Sequence, residues 1–150
     1  MAGLIIAATT TEVALVATTA KTVIQAVAAA NHRIKILRWG VFFDGTSVTA
    51  EPVQVRLLRQ TTAGTMTSLS PVLVAPAGAA ETIQTTAQHS ASAEPTAGDV
   101  LDVIEVHPQQ GYEVIYPMGQ EISVPGAGRI GIECTSPATV NVRAKFWIEE

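Results

Sequence analysis

From Val140 to Ile148 the chain alternates without a slip. Val140, Val142, Ala144, Phe146 and Ile148 fall on one side, and Asn141, Arg143, Lys145 and Trp147 on the other. A period of two sends successive side chains to opposite faces of an extended strand, so this segment is half-buried β-structure with its apolar set turned to a core. The whole chain shares the bias: Val, Ile and Thr supply 17, 12 and 18 of its 150 residues. Branched at Cβ, these side chains are stiff at χ1 and suit a pleated surface better than a helix. Hydrophobic residues make up 47% and charged ones only 15%, which argues against disorder. At this length a single domain buries roughly two-thirds of its unfolded surface and needs neither disulfide nor metal to hold a core.

Further β-like runs, separated by turn residues, lie at 13–17, 21–28, 33–43, 53–58, 100–106, 112–116, 121–124 and 129–134. Asp44-Gly45 is a strong turn signal after Phe43, and 61–67, broken by Gly64, reads as a loop or short hairpin. Residues 75–97 hold Pro76, Gly78, Pro95 and many Ala, Ser and Thr. That stretch is expected to be mostly exposed loop, with 81–85 as a short strand inside it. About eight to ten short strands without an amphipathic helix between them disfavour a parallel βαβ fold. The expectation is an all-β protein: an antiparallel β-sandwich, jelly-roll-like, with an extended N-terminal arm. Residues 1–20 would form the arm and first strand, and 21–150 a single sandwich domain.

The arm is expected because residues 2–20 carry one charge, Glu12, and open on Leu4-Ile5-Ile6. No Lys or Arg precedes this stretch, and Thr9-Thr10-Thr11-Glu12 interrupts it, so neither a signal peptide nor a membrane span is expected. Side chains this apolar do not stay solvated at low cost. Leu4, Ile5, Ile6, Val13 and Leu15 are therefore the candidate contacts with a partner protein.

Chemistry-bearing motifs are few. Net charge is −4, and between Arg59 and Arg129 there are seven acids and no Lys or Arg, which disfavours a nucleic-acid partner. Gly126, Gly128 and Gly131 spell the dinucleotide fingerprint, but 132–137 ends in Ser136-Pro137 and supplies no helix for the pyrophosphate. Asp99, Asp102 and Glu105 would share one face only on a helix; on a strand Asp102 points away from the other two, and no metal is expected. His32, His89 and His107 have no ligand spacing, and the single Cys134 lies within a strand with no histidine in its sequence neighbourhood. No catalytic residue, cofactor or enzyme activity is expected. Trp147, on the polar face of its strand, suits a subunit interface better than a ligand platform.

Several segments resemble small virion proteins of tailed bacteriophages. They are Ala28-Ala29-Ala30-Asn31-His32-Arg33, 39–46 (Trp39 to Thr46), Glu51-Pro52-Val53 with Val55 and Leu57, and 60–65 (Gln60 to Thr65). Glu94-Pro95-Thr96-Ala97-Gly98-Asp99, 107–112 (His107 to Tyr112) and Val140-Asn141-Val142-Arg143 complete the set. The similarity spans roughly residues 10–150. The family is that of capsid decoration, or cement, proteins. The resemblance implies a jelly-roll-like body that sits on the virion surface, bound to the major capsid protein and to copies of itself, with a homotrimer expected. It implies no catalytic or ligand residue. The competing expectation is a receptor- or glycan-binding head of a virion or cell-surface assembly.

Overall fold

The computed structural model describes residues 3–78 and 80–150. Met1 and Ala2 of the expected arm, and Ala79, lie outside the described residues. Thirteen strands and no helix are found among the described residues: β1 (Ile5–Thr9), β2 (Val13–Leu15), β3 (Ala20–Val27), β4 (Ile34–Phe43), β5 (Val53–Gln60), β6 (Thr65–Leu69), β7 (Val72–Ala75), β8 (Thr86–Ala93), β9 (Ala97–Val106), β10 (Gly111–Ile115), β11 (Ile122–Val124), β12 (Arg129–Thr135) and β13 (Val140–Glu149). They form two antiparallel sheets. The first runs β10-β4-β13-β1-β7, with β11 also on β4 and β2 also on β13; the second runs β6-β8-β3-β12-β5-β9.

The order becomes simple once broken strands are joined. β1 and β2 lie in succession along β13, and β10 and β11 along β4. Setting aside β6, β7 and β8 leaves eight ribbons. The first pairs with the last (β1/β2 with β13), the second with the seventh (β3 with β12), the third with the sixth (β4 with β10/β11), and the fourth with the fifth (β5 with β9). Four nested antiparallel pairs wrapped into two sheets are the jelly roll. The excursion between β5 and β9 widens both sheets on one side, β8 and β6 beyond β3, and β7 beyond β1.

The core lies between the sheets. Ile6, Leu15, Trp39, Phe146 and Ile148 of the first sheet and Ile24, Val55, Leu57, Ile130 and Ile132 of the second have no exposed surface. All five alternating residues of β13 named at the outset are buried, and their neighbours are not. Trp39 also needs a partner for its indole N–H, and Tyr116 Oη accepts it at 3.0 Å.

Several sequence expectations are corrected. Residues 5–9 are no arm: Ile5 to Thr9 pair with Glu149 to Lys145 on one side, and Ile5, Ile6 and Ala7 pair with β7 on the other. The apolar content that suggested a partner is satisfied within the protein's own core. Residues 86–93 form β8, an interior strand of the second sheet, where a loop was expected, and 81–85 is not a strand. The strand went unread because Thr-Ala-Gln-His-Ser-Ala-Ser-Ala has little apolar mass; its backbone pairs with β3 and β6 and only Ala87 and Ala91 are buried. After Phe43 the chain crosses between sheets, β4 and β5 belonging to different ones, and the turn falls at Val48-Thr49 and not at Asp44-Gly45. Instead the Asp44 carboxylate accepts from Asn141 N at 3.1 Å and Nδ2 at 3.0 Å, and Gly45 N donates to Pro108 O at 2.7 Å. A Cβ on Gly45 would fall 2.5 Å from that carbonyl, so close approach accounts for the glycine.

Candidate interaction surface

The outer face of the first sheet carries most of the charge pairs. Register sets Arg38 of β4 beside Trp147 of β13, and Gly40 between Glu113 of β10 and Lys145 of β13. Having no side chain, Gly40 lets its neighbours meet across the strand: Lys145 Nζ lies 3.0 Å from Glu113 Oε2, and Arg38 Nη1 2.9 Å from Oε1. The Lys145 hydrogen bond, reinforced by Arg38, holds the Glu113 carboxyl below its usual range despite partial desolvation. Arg38 also lies over Trp147, 3.9 Å from the ring centre, and Lys145 is 5.1 Å from the Phe42 ring centre. Lys35–Glu149 and Arg143–Glu12 pairs flank this group. The face is internally satisfied, and the indole that a ligand would stack on is already covered by a guanidinium.

The outer face of the second sheet is closed by two loops. Thr61 N donates to Thr96 O at 3.0 Å, Thr96 N to Thr62 Oγ1 at 2.8 Å, and Thr22 N to Glu94 Oε2 at 2.8 Å. Beneath them Gln25 Nε2 bonds Gln60 Oε1 at 2.7 Å and Gln60 Nε2 bonds Thr22 Oγ1 at 3.0 Å, all three residues being buried. Gly64, at φ 65°, packs where a Cβ would meet Ala93 O at 2.5 Å. The segments Gln60–Thr65 and Glu94–Asp99 are thus a single structural clasp.

The remaining side, where β9 ends the second sheet and β10 the first, is open. Val100 (43% exposed), Leu101, Val103 (50%), Tyr112, Ile115 (68%) and Met118 are six of the ten exposed large apolar residues in the described chain. Tyr112 packs obliquely on Trp39, ring centres 5.7 Å apart. Burial pushes the Tyr116 hydroxyl up, opposed by the Trp39 hydrogen bond, with Asp102 adding a smaller push in the same direction as burial. The cations nearest in β5 are turned away from β9. Arg56 bonds Glu133 through Nε (2.9 Å) and Nη2 (2.5 Å), and Arg59 Nη2 bonds Ser123 O at 3.1 Å. Asp99, Asp102 and Glu105 of β9 have no salt bridge among the described residues; Glu105 accepts only a long bond from Gln54, at 3.4 Å.

The contact candidates read from the sequence fall elsewhere. Ile6, Val13 and Leu15 are buried in the core, while Leu4 and Ile5 are half-buried along β13. Three of the five are therefore unavailable to a partner, because the sandwich itself took them up. Sequence reasoning missed the open side because Val100, Leu101 and Val103 look like core residues; only the place of β9 at a sheet edge exposes them. No cluster of three metal-ligand side chains occurs among the described residues. Cys134 is buried and burial pushes its thiol far up, which removes thiolate chemistry. Gly126 to Gly128 form a turn into β12, with no helix after it. A groove of about 350 Å³ lies between Gly45–Ser47, Ala50, Glu51, Pro108 and 136–140; Glu51 is the one carboxylate in its lining, with no histidine, cysteine or second acid beside it. Among the described residues no helix is long and apolar enough to cross a membrane. Comparison with protein-family models, with curated proteins and with solved structures found no match.

Proposed function

We propose that this protein is a non-enzymatic structural component of a tailed-phage virion, a decoration protein that binds the outside of the capsid and reinforces it. One observation carries the reading: an internally bonded jelly roll gathers six of the ten exposed large apolar side chains of the described chain on one side, at β9, β10 and the turn after them. Clustered exposed aliphatics around a rigid body are the mark of a protein contact. The sequence segments that resemble phage virion proteins support it, since two of them, 60–65 and 94–99, form the clasp across the second sheet. The docking surface is the open side, and the first strand is part of the body. The partner is the major capsid protein, copies of the chain assemble as a homotrimer, and the site of action is the virion surface.

The experiment is addition of the purified protein to capsids built from the major capsid protein of the same genome. Saturable binding with a raised capsid melting temperature is expected, and sedimentation of the free protein should give three chains per particle. Capsids that neither bind it nor gain stability would overturn the proposal. A glycan array tests the competing receptor-binding role, and the guanidinium over Trp147 argues for a blank result there.

A further inference from the structure

We infer that the groove where β5, β9 and β12 meet is a binding site for a single carboxylate, held by the guanidinium groups of Arg59 and Arg129. Of the nine Lys and Arg in the chain, Lys35, Arg38, Arg56, Arg143 and Lys145 each lie against a carboxylate. Arg59 and Arg129 have no such partner among the described residues, and they line one groove of about 320 Å³ together with Thr61, Gly98, Asp99 and Pro125. Strand register brings them there. Arg59 and Gln60 end β5 beside Ile130 and Arg129, which open β12, and Ala97 at the start of β9 lies on the other side of Gln60.

Both guanidinium groups are held in place with donors to spare. Arg59 Nη2 donates to Ser123 O at 3.1 Å, which ties the side chain to β11, and its other guanidinium donors make no hydrogen bond among the described residues. Arg129 is half-buried, and its Nε is shielded from water without an acceptor. A buried donor left unpaired is costly, more so on a charged group, and points to an acceptor that binds there. The Gln60 amide beside it is committed to Gln25 and Thr22. Asp99 shares the groove and forms no salt bridge among the described residues. Charge then selects the ligand. Two cations and one anion leave one net positive charge, which a carboxylate matches; a phosphate dianion exceeds it and is repelled by Asp99. The guanidinium fork also fits the paired oxygens of a carboxylate. Two sources carry this group, an acidic side chain of a bound protein and a small free acid. The inference rests on the two arginines and not on the capsid reading.

The test uses the full chain at constant ionic strength. The probes are acetate, inorganic phosphate, a blocked pentapeptide with one central Glu, and the same peptide with Gln in its place. NMR follows the Nε–H signal of each arginine during titration. Acetate and the Glu peptide should shift the Arg59 and Arg129 signals saturably and leave that of exposed Arg33 in place; the Gln peptide should shift none. Phosphate should bind more weakly than acetate. Arg129→Gln should cost about tenfold or more in acetate affinity, as loss of a charge-assisted hydrogen bond implies, and thermal melting confirms that the variant remains folded. Asp99→Asn should tighten both anions and remove the preference for acetate over phosphate. A Glu peptide bound more tightly than acetate assigns the groove to an acidic side chain of a partner protein, and the reverse order to a free acid; either supports the site. Shifts that do not saturate, equal shifts at Arg33, wild-type protein that prefers phosphate, or unchanged affinity in Arg129→Gln would each overturn the inference.

Discussion

Phe146 has no exposed surface and sits at the centre of β13, opposite Trp39 and Ala8. Phe146→Ala should cost about 3–5 kcal/mol, read by denaturant unfolding, since the lost transfer energy and the cavity add; a loss near zero would mean the face is not core. Cys134 offers a chemical readout of the same core. Buried, with its thiol pushed far above the ordinary range, it should react with a thiol reagent only in denaturant, and rapid labelling of the native protein would contradict its placement. Glu113 gives a pH readout. Its folded carboxyl lies below the ordinary value of 4.5 because Lys145 and Arg38 bind it. Its stabilisation is therefore present above that value and lost as pH falls through the folded one. Glu113→Gln should cost no more than about 1 kcal/mol near neutrality, as the group is partly exposed. The gap in melting temperature between wild type and variant should close on acidification below about pH 4.5; a constant gap would mean the pairs carry no net stabilisation.

At the level of elements, β1 separates an arm from a strand. A detachable arm could be removed without harm, but Ile6 and Ala8 are fully buried and β1 joins β13 to β7. Deleting residues 2–11 should therefore unfold the protein or sharply lower its melting temperature, and Ile6→Ala alone should cost about 2–5 kcal/mol. A stable truncated sandwich would restore the arm. The contrast between β13 and β8 shows what was legible in the sequence. β13 declares itself because one face meets the core and the other meets water, so polarity follows the pleat. β8 is held by ladders on both sides with almost no apolar contact, and backbone hydrogen bonds leave no trace in composition. β1 failed for a different reason: its apolar run was visible, but whether such a run is buried by its own chain or by another depends on partners more than 130 positions away, Ile5 meeting Glu149.

For the molecule as a whole, the fold class was readable because β-branched content and turn spacing are summed over the entire chain. The nesting of the eight ribbons was not, since it depends on which distant strands pair. The open side was hidden for the same reason: Val100 and Val103 are chemically indistinguishable from core valines until β9 is known to be an edge. That edge now carries the functional account, and its strongest test is on the intact particle. Capsids should be mixed with wild-type protein and with a variant carrying Val103→Lys and Ile115→Lys, two exposed positions outside the core. The account predicts that wild type binds saturably and the variant, equally folded by thermal melting, does not. Undiminished binding of the variant would contradict the claim that this side of the jelly roll is where the protein meets its partner.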